Sequence, residues 1–229
     1  EYLGFTFIDM PSFLFVRHTK KILDHHINKF LSRFLSFMLD CALYVLYFVY
    51  RLYYSSRYSK YRIVRKDTND IDYITFENII FNDTKKYKEY HNSEWLKYIL
   101  SYKEEDFFRN EYVEIQTKGK TVGFLIFSIR NQGTDGNWKN FRTANLIEWG
   151  GVSLNENDLF KLAILAMPKD ADALSLSNID PAVPSGIKLL PRIKDGLVNF
   201  TVRCTNALFT DIADWTKWRI RVAGGDNTF

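Results

Sequence analysis

The chain has 229 residues, 46% of them hydrophobic and 17% aromatic, and a formal net charge of +4. Such a composition buries a real core and excludes intrinsic disorder; its mild, scattered charge forms no basic stripe, so no nucleic-acid partner is expected. Cys41 and Cys204 have no metal-ligand or disulfide-framework spacing and the four histidines, His25-His26 among them, read as surface residues, so no metal is expected and a reducing, cytoplasmic compartment is.

Glu1 begins inside a hydrophobic stretch, EYLGFTFIDMPSFLF, which suggests that the chain is a piece of something longer. On that reading Leu3, Phe5, Phe7 and Ile8 belong to a preceding domain and form a sticky, exposed strand once that domain is absent. Residues 19–54 then read as one long helix. Its first part is amphipathic, with Ile22, His26, Phe30 and Phe34 on one face. Its second part, between Arg33 and Arg51, is nearly all apolar but carries Asp40. A bilayer-spanning helix needs about 20 apolar residues. This run is slightly short, contains a carboxylate, and has positive charge on both sides, so it gives no orientation. The pattern favours a buried or membrane-resting linker helix over a span, with residues 34–50 as the candidate for peripheral membrane contact. Residues 55–60 are polar and basic and read as a hinge.

From there the elements alternate. Residues 61–65 are a strand, residues 69–82 a helix burying Ile71, Ile74, Phe76 and Ile79, and residues 93–102 a helix capped by Asn92 or Ser93. Residues 112–116 and 121–129 form a hairpin through Lys118-Gly119, a pair suited to a tight turn. After a turn-rich loop, residues 140–166 read as strand, turn and helix. Thr143, Asn145, Ile147 and Trp149 alternate with Ala144, Leu146 and Glu148, and Gly150-Gly151 breaks the run. Asn155 or Ser153 caps the helix that follows, whose Leu159, Leu162, Ala163 and Ala166 share a face. Residues 173–177 are a short buried strand. Residues 184–193 hold a short helix ended by Asp195-Gly196, and strands at 198–203 and 218–222 close the chain.

That order, β-α-α-β-β-β-α-β-α-β-β, resembles the GNAT acyl-CoA N-acyltransferases. The ending, Asp214-Trp215 through Trp218-Arg219-Ile220-Arg221-Val222-Ala223-Gly224-Gly225-Asp226-Asn227, resembles the close of a bacterial branch with two GNAT-like units in tandem, often near cell-surface polysaccharide genes. Leu3-Gly4-Phe5 is similar to the end of the first such unit. The resemblance implies a mixed α/β fold with a mostly antiparallel central sheet flanked by helices and preceded by a long linker helix. It makes residues 1–17 the tail of a missing N-terminal GNAT-like unit, 18–60 the linker and hinge, and 61–229 a GNAT-like domain. It also implies acyl-CoA (acetyl-CoA) as cofactor of the whole protein and an amine as the small-molecule acceptor, an amino sugar being one candidate. The family holds the pyrophosphate with Q/R-x-x-G-x-G/A. Here the corresponding turn is Trp149-Gly150-Gly151-Val152-Ser153-Leu154-Asn155-Glu156-Asn157, with Glu156 and Asp158 where an anion would be repelled. The turn is therefore expected to be a left-handed structural stop, and this domain a degenerate supporting or acceptor-side unit.

Transfer to an amine needs a base. Glu148, taken as the only carboxylate in a strand interior, is the candidate, although alternation alone would place it facing outward. Ser175, Ser177 and Asn178 end a buried strand, where open α/β sheets place ligands, and make Ser177 and Asn178 candidates for substrate binding. Asp226 is a third, with turn chemistry as its ordinary role. Trp95, Tyr98 and Tyr102 read as core. The competing class is a non-catalytic module that binds a ligand through residues 61–229 and anchors to a membrane or partner helix through residues 18–60.

Overall fold

The computed structural model describes residues 5–85, 87–88, 91–104, 107–131, 140–177, 190, 192–203 and 218–219. Its frame is an eight-stranded sheet made of β1 (Phe5–Val16), β2 (Arg62–Lys66), β4 (Lys103–Glu104), β5 (Phe108–Thr117), β6 (Lys120–Asn131), β7 (Arg142–Gly151), β8 (Ala173–Ser177) and β9 (Arg192–Arg203). The order is β2-β5-β6-β7-β8-β1-β9, with β4 beside β5, and every pairing is antiparallel except β7 with β8. A separate two-stranded ribbon joins β3 (Tyr87–Lys88) to β10 (Trp218–Arg219). The expected mixed α/β class with a mostly antiparallel sheet flanked by helices is what forms.

Local chemistry sets many of the boundaries. Lys118 and Gly119 both take positive φ, 49° and 77°, the two-residue turn whose twist suits the β5–β6 hairpin. Asn92 accepts from the Trp95 backbone N–H at 2.9 Å and starts α4 (Ser93–Ser101); Asp72 does the same for Thr75 and starts α3 (Tyr73–Phe81). Asn155 accepts from Asp158 N–H at 2.8 Å and starts α5 (Glu156–Ala166). The long helix expected over 19–54 is two: α1 (Lys20–His26) ends at an extended Ile27, and Asn28 caps α2 (Lys29–Arg57) through the Phe30 and Leu31 N–H groups. Phe30 and Phe34, placed on a buried face by periodicity, are exposed. So is Ile74, at 75%, because α3 starts later than expected and turns Ile80 inward instead.

Helices α3 and α4 cover one face of the sheet, where Phe76, Ile79, Ile80, Leu96 and Ile99 meet Tyr112, Phe124, Ile126 and Ile147. On the other face, α5 and the end of α2 pack on Val113, Ile115, Leu125, Phe127, Leu146 and Trp149. Tyr50, Tyr54 and Tyr58 belong to that second core, so the supposed linker is part of the domain.

Residues 5–16 depart most from the expectation. They form no edge strand: β1 lies inside the sheet, with Ser12–Val16 paired to β8 and Phe5–Phe15 paired to β9. Leu14, Phe15 and Val16 are buried. Asp172 fastens the end of this strand. Its carbonyl accepts from Arg17 and His18 N–H, and its carboxylate accepts from Arg142 N–H and pairs with Lys21 Nζ at 2.7 Å. Asp195-Gly196, expected to end a helix, runs within β9; Asp195 has no partner across from it because the register shifts between Ser12 and Phe13. Of the strand expected over 218–222, Trp218–Arg219 is described.

Candidate functional site

The site grows from a slip in β7. Opposite it, Ile126 pairs with Glu148 and Phe127 with Leu146, leaving Ile147 as the extra residue of a bulge. A bulge changes the phase of a strand, because side chains alternate with period two. Ala144 and Leu146 face α5, and after the bulge Trp149 joins them instead of Glu148. Ile147 and Glu148 both turn to the α3–α4 face. The pairing of β7 with β8 ends at Leu146–Leu176, so the two parallel strands part company at this same point.

Glu148 is therefore not outward-facing. It is fully buried, and its Oε2 lies 2.6 Å from Nδ1 of His91, itself only 4% exposed. Its Oε1 accepts from the Trp149 N–H at 3.1 Å. The His91 ring stacks on Trp95, with centroids 3.8 Å apart and planes at 7°. His91 immediately precedes the α4 cap, and Glu77 of α3 accepts from Ser93 N–H at 2.7 Å, so both helices hold the ring in place. With Glu148 ionised, Nδ1 carries the proton and donates, which orients the imidazole for proton transfer through its other nitrogen. The surface assignment of His91 is thus corrected. The signal available in sequence was the His91/Trp95 spacing across the Asn92 cap; its carboxylate partner lies 57 residues away.

Glu148 is not the only carboxylate in a strand interior. Glu114 on β5 is also buried, accepting from Gln116 Nε2 at 2.7 Å and Thr121 Oγ1 at 3.1 Å. Ser177 belongs to β8 and pairs with Ser12, beyond the last β7–β8 pair. Asn178 and Asp226 lie outside the described residues. A cleft of about 220 Å³ lined by Lys103, Glu104, Phe107, Phe108, Arg109, Ile129, Asn131 and Arg142 contains none of these candidates. Its Arg109 and Arg142 are both engaged by Asp170, at 2.9 and 2.7 Å.

The turn after β7 does not fit an acyl-CoA pyrophosphate. Gly150 and Gly151 are still strand, and the left-handed residue is Ser153 at φ 62°. The glycines serve close packing: a Cβ on Gly150 would meet Ile79 at 2.9 Å, and one on Gly151 would meet Leu154 at 2.9 Å. Leu154 fills the space that a phosphate would need above the backbone. Glu156 and Asp158 occupy the first turn of α5, and the Tyr58 hydroxyl donates to Asp158 at 2.6 Å. Burial and that hydrogen bond push the Tyr58 phenol up, so it remains a donor.

No family model matches the chain, and no curated protein matches it. Among solved structures, it is similar to a GCN5-related N-acetyltransferase from Anabaena variabilis, at 10% identity and a TM-score of 0.49, over 89% of this chain and 42% of that one. It is also similar to a functionally unknown conserved protein from Staphylococcus epidermidis, at 11% identity and a TM-score of 0.41, over 87% of this chain and 62% of that one. The chain thus spans less than two thirds of either. Both TM-scores lie below 0.5, so the functional reading rests on this chain's own geometry.

Proposed function

We propose that the chain is a supporting, acceptor-side unit of a GNAT-type N-acyltransferase, with acyl-CoA held by another unit. The observation that carries this reading is the turn after β7. The strand bulges and parts from its parallel neighbour, yet the loop that would take the pyrophosphate is closed by Leu154 and lined by Glu156 and Asp158. What the opening offers is proton chemistry: Glu148 orients His91, and a Glu–His pair of this kind takes a proton from an ammonium acceptor so that the amine can attack. The acceptor would be a small amine, an amino sugar being the reading the sequence favours. Residues 1–17 would then be the contribution of a preceding unit to this sheet, which explains a strand from one end of the chain sitting between β8 and β9.

Titration calorimetry with acetyl-CoA tests the cofactor half of the reading. The chain is expected to give no heat of binding up to millimolar ligand. Micromolar affinity that disappears in Gly151→Trp would place the cofactor at this turn and defeat it.

A further inference from the structure

Helix α2 carries a surface that the β7 site does not use. At about 100° per residue, Ser32, Ser36, Leu43, Tyr47, Tyr50 and Tyr54 fall on one seam, and this seam packs on the domain. The opposite arc, from Phe30 to Tyr53, extends for about 35 Å and is apolar throughout. Phe30 is 84% exposed, Phe37 70% and Tyr44 72%. Of the 18 most apolar residues of the helix, only 17% are buried.

Charge is sorted along the same helix. Its cations, Lys29, Arg33, Arg51 and Arg57, fall at the margins between seam and arc. Its one acid, Asp40, turns towards the domain, where Thr19 N–H and Oγ1–H donate to it at 2.7 and 2.8 Å. The carboxylate that argued against membrane contact in the sequence is thus removed from the apolar arc.

We propose that α2 lies in the plane of an anionic membrane, its apolar arc at the boundary of headgroups and acyl chains and its four cations at the level of the lipid phosphates. A cation-rimmed apolar face is what such a surface recognises. A protein partner over this length would be expected to meet about one hydrogen bond per 100–200 Å², and the arc offers only the phenols of Tyr44 and Tyr53. A span is incompatible with the seam, because Leu43, Tyr50 and Tyr54 tie the helix to a domain that would have to follow it into the bilayer. The inference is independent of the acyltransferase reading, since the β7 face is formed by other elements.

Flotation of the whole chain with phosphatidylglycerol-containing vesicles, against vesicles of phosphatidylcholine alone, tests it. The chain is expected to float with the anionic vesicles and at least several-fold less with the neutral ones. The triple change Phe37→Ser, Val45→Ser, Val49→Ser should reduce the bound fraction by about tenfold or more with the melting curve retained, as all three side chains are exposed. Cys41 is free, exposed and on the arc, so in a Cys204→Ser background it can carry a fluorophore. Depth-dependent quenching should place that label about 5–10 Å into the headgroup and acyl boundary. Failure to float with either vesicle overturns the proposal, as does a discrete oligomer that ignores both. A label near the bilayer centre would replace the in-plane helix with a span.

Discussion

Deletion of residues 1–17 is expected to abolish cooperative folding of the remaining chain. The strand removed is interior, and its loss would leave β8 and β9 with open edges facing each other. It also removes Leu14, Phe15 and Val16 from the core. Burial of side chains of this size contributes about 1.5–3 kcal/mol each, so the three together approach the whole stability of an ordinary domain, about 5–15 kcal/mol. The ladder hydrogen bonds add to the loss. Circular dichroism melts and amide spectra of the truncated chain should show no native transition. The point change Phe15→Ala should cost about 3–5 kcal/mol while leaving a foldable protein. A truncated chain that melts cooperatively near the parent temperature would mean that residues 1–17 are a dispensable appendage after all.

The second large effect is expected at Glu148. Removing one partner of a buried pair leaves the other in an apolar setting, which typically costs about 3–5 kcal/mol. Glu148→Ala should therefore destabilise strongly in urea, and His91→Ala by a similar amount. Glu148→Gln keeps an acceptor for Nδ1 and should cost less, about 1–3 kcal/mol. In the double variant the two losses should fall well short of additive, because each single change already breaks the same contact. Additive losses, or a Glu148→Ala protein within about 1 kcal/mol of the parent, would show that the 2.6 Å contact has little energetic weight.

The sequence revealed what local chemistry decides. The Lys118-Gly119 turn, the Asn92 and Asn155 caps and β8 at residues 173–177 depend on residues within a few positions of one another, and they stand where they were expected. What it concealed depends on distant partners. Nothing in FTFIDMPSFLFV announces that its neighbours are residues 173–177 and 192–203, and an unpartnered hydrophobic strand looks like an edge. Alternation placed Glu148 on the wrong face because a bulge cannot be seen in a strand's own residues; only the register against β6 reveals it. The glycines after it looked like a turn and proved to be close-packing positions, with the left-handed conformation taken by Ser153. Helix α2 was apparent from its apolar run, but which way Asp40 points was decided by Thr19, 21 residues earlier.

The account stands on the β7 opening being an acceptor site and not a cofactor site, and one titration addresses both possibilities. In a ¹⁵N-labelled chain, the His91 ring nitrogens report on the dyad, and the Gly150, Gly151 and Leu154 amides report on the turn. A small amino sugar is expected to move the His91 signals while the turn amides stay in place, and acetyl-CoA to move neither. Shifts of the turn amides with acetyl-CoA, together with an unresponsive His91 under the amine, would contradict it.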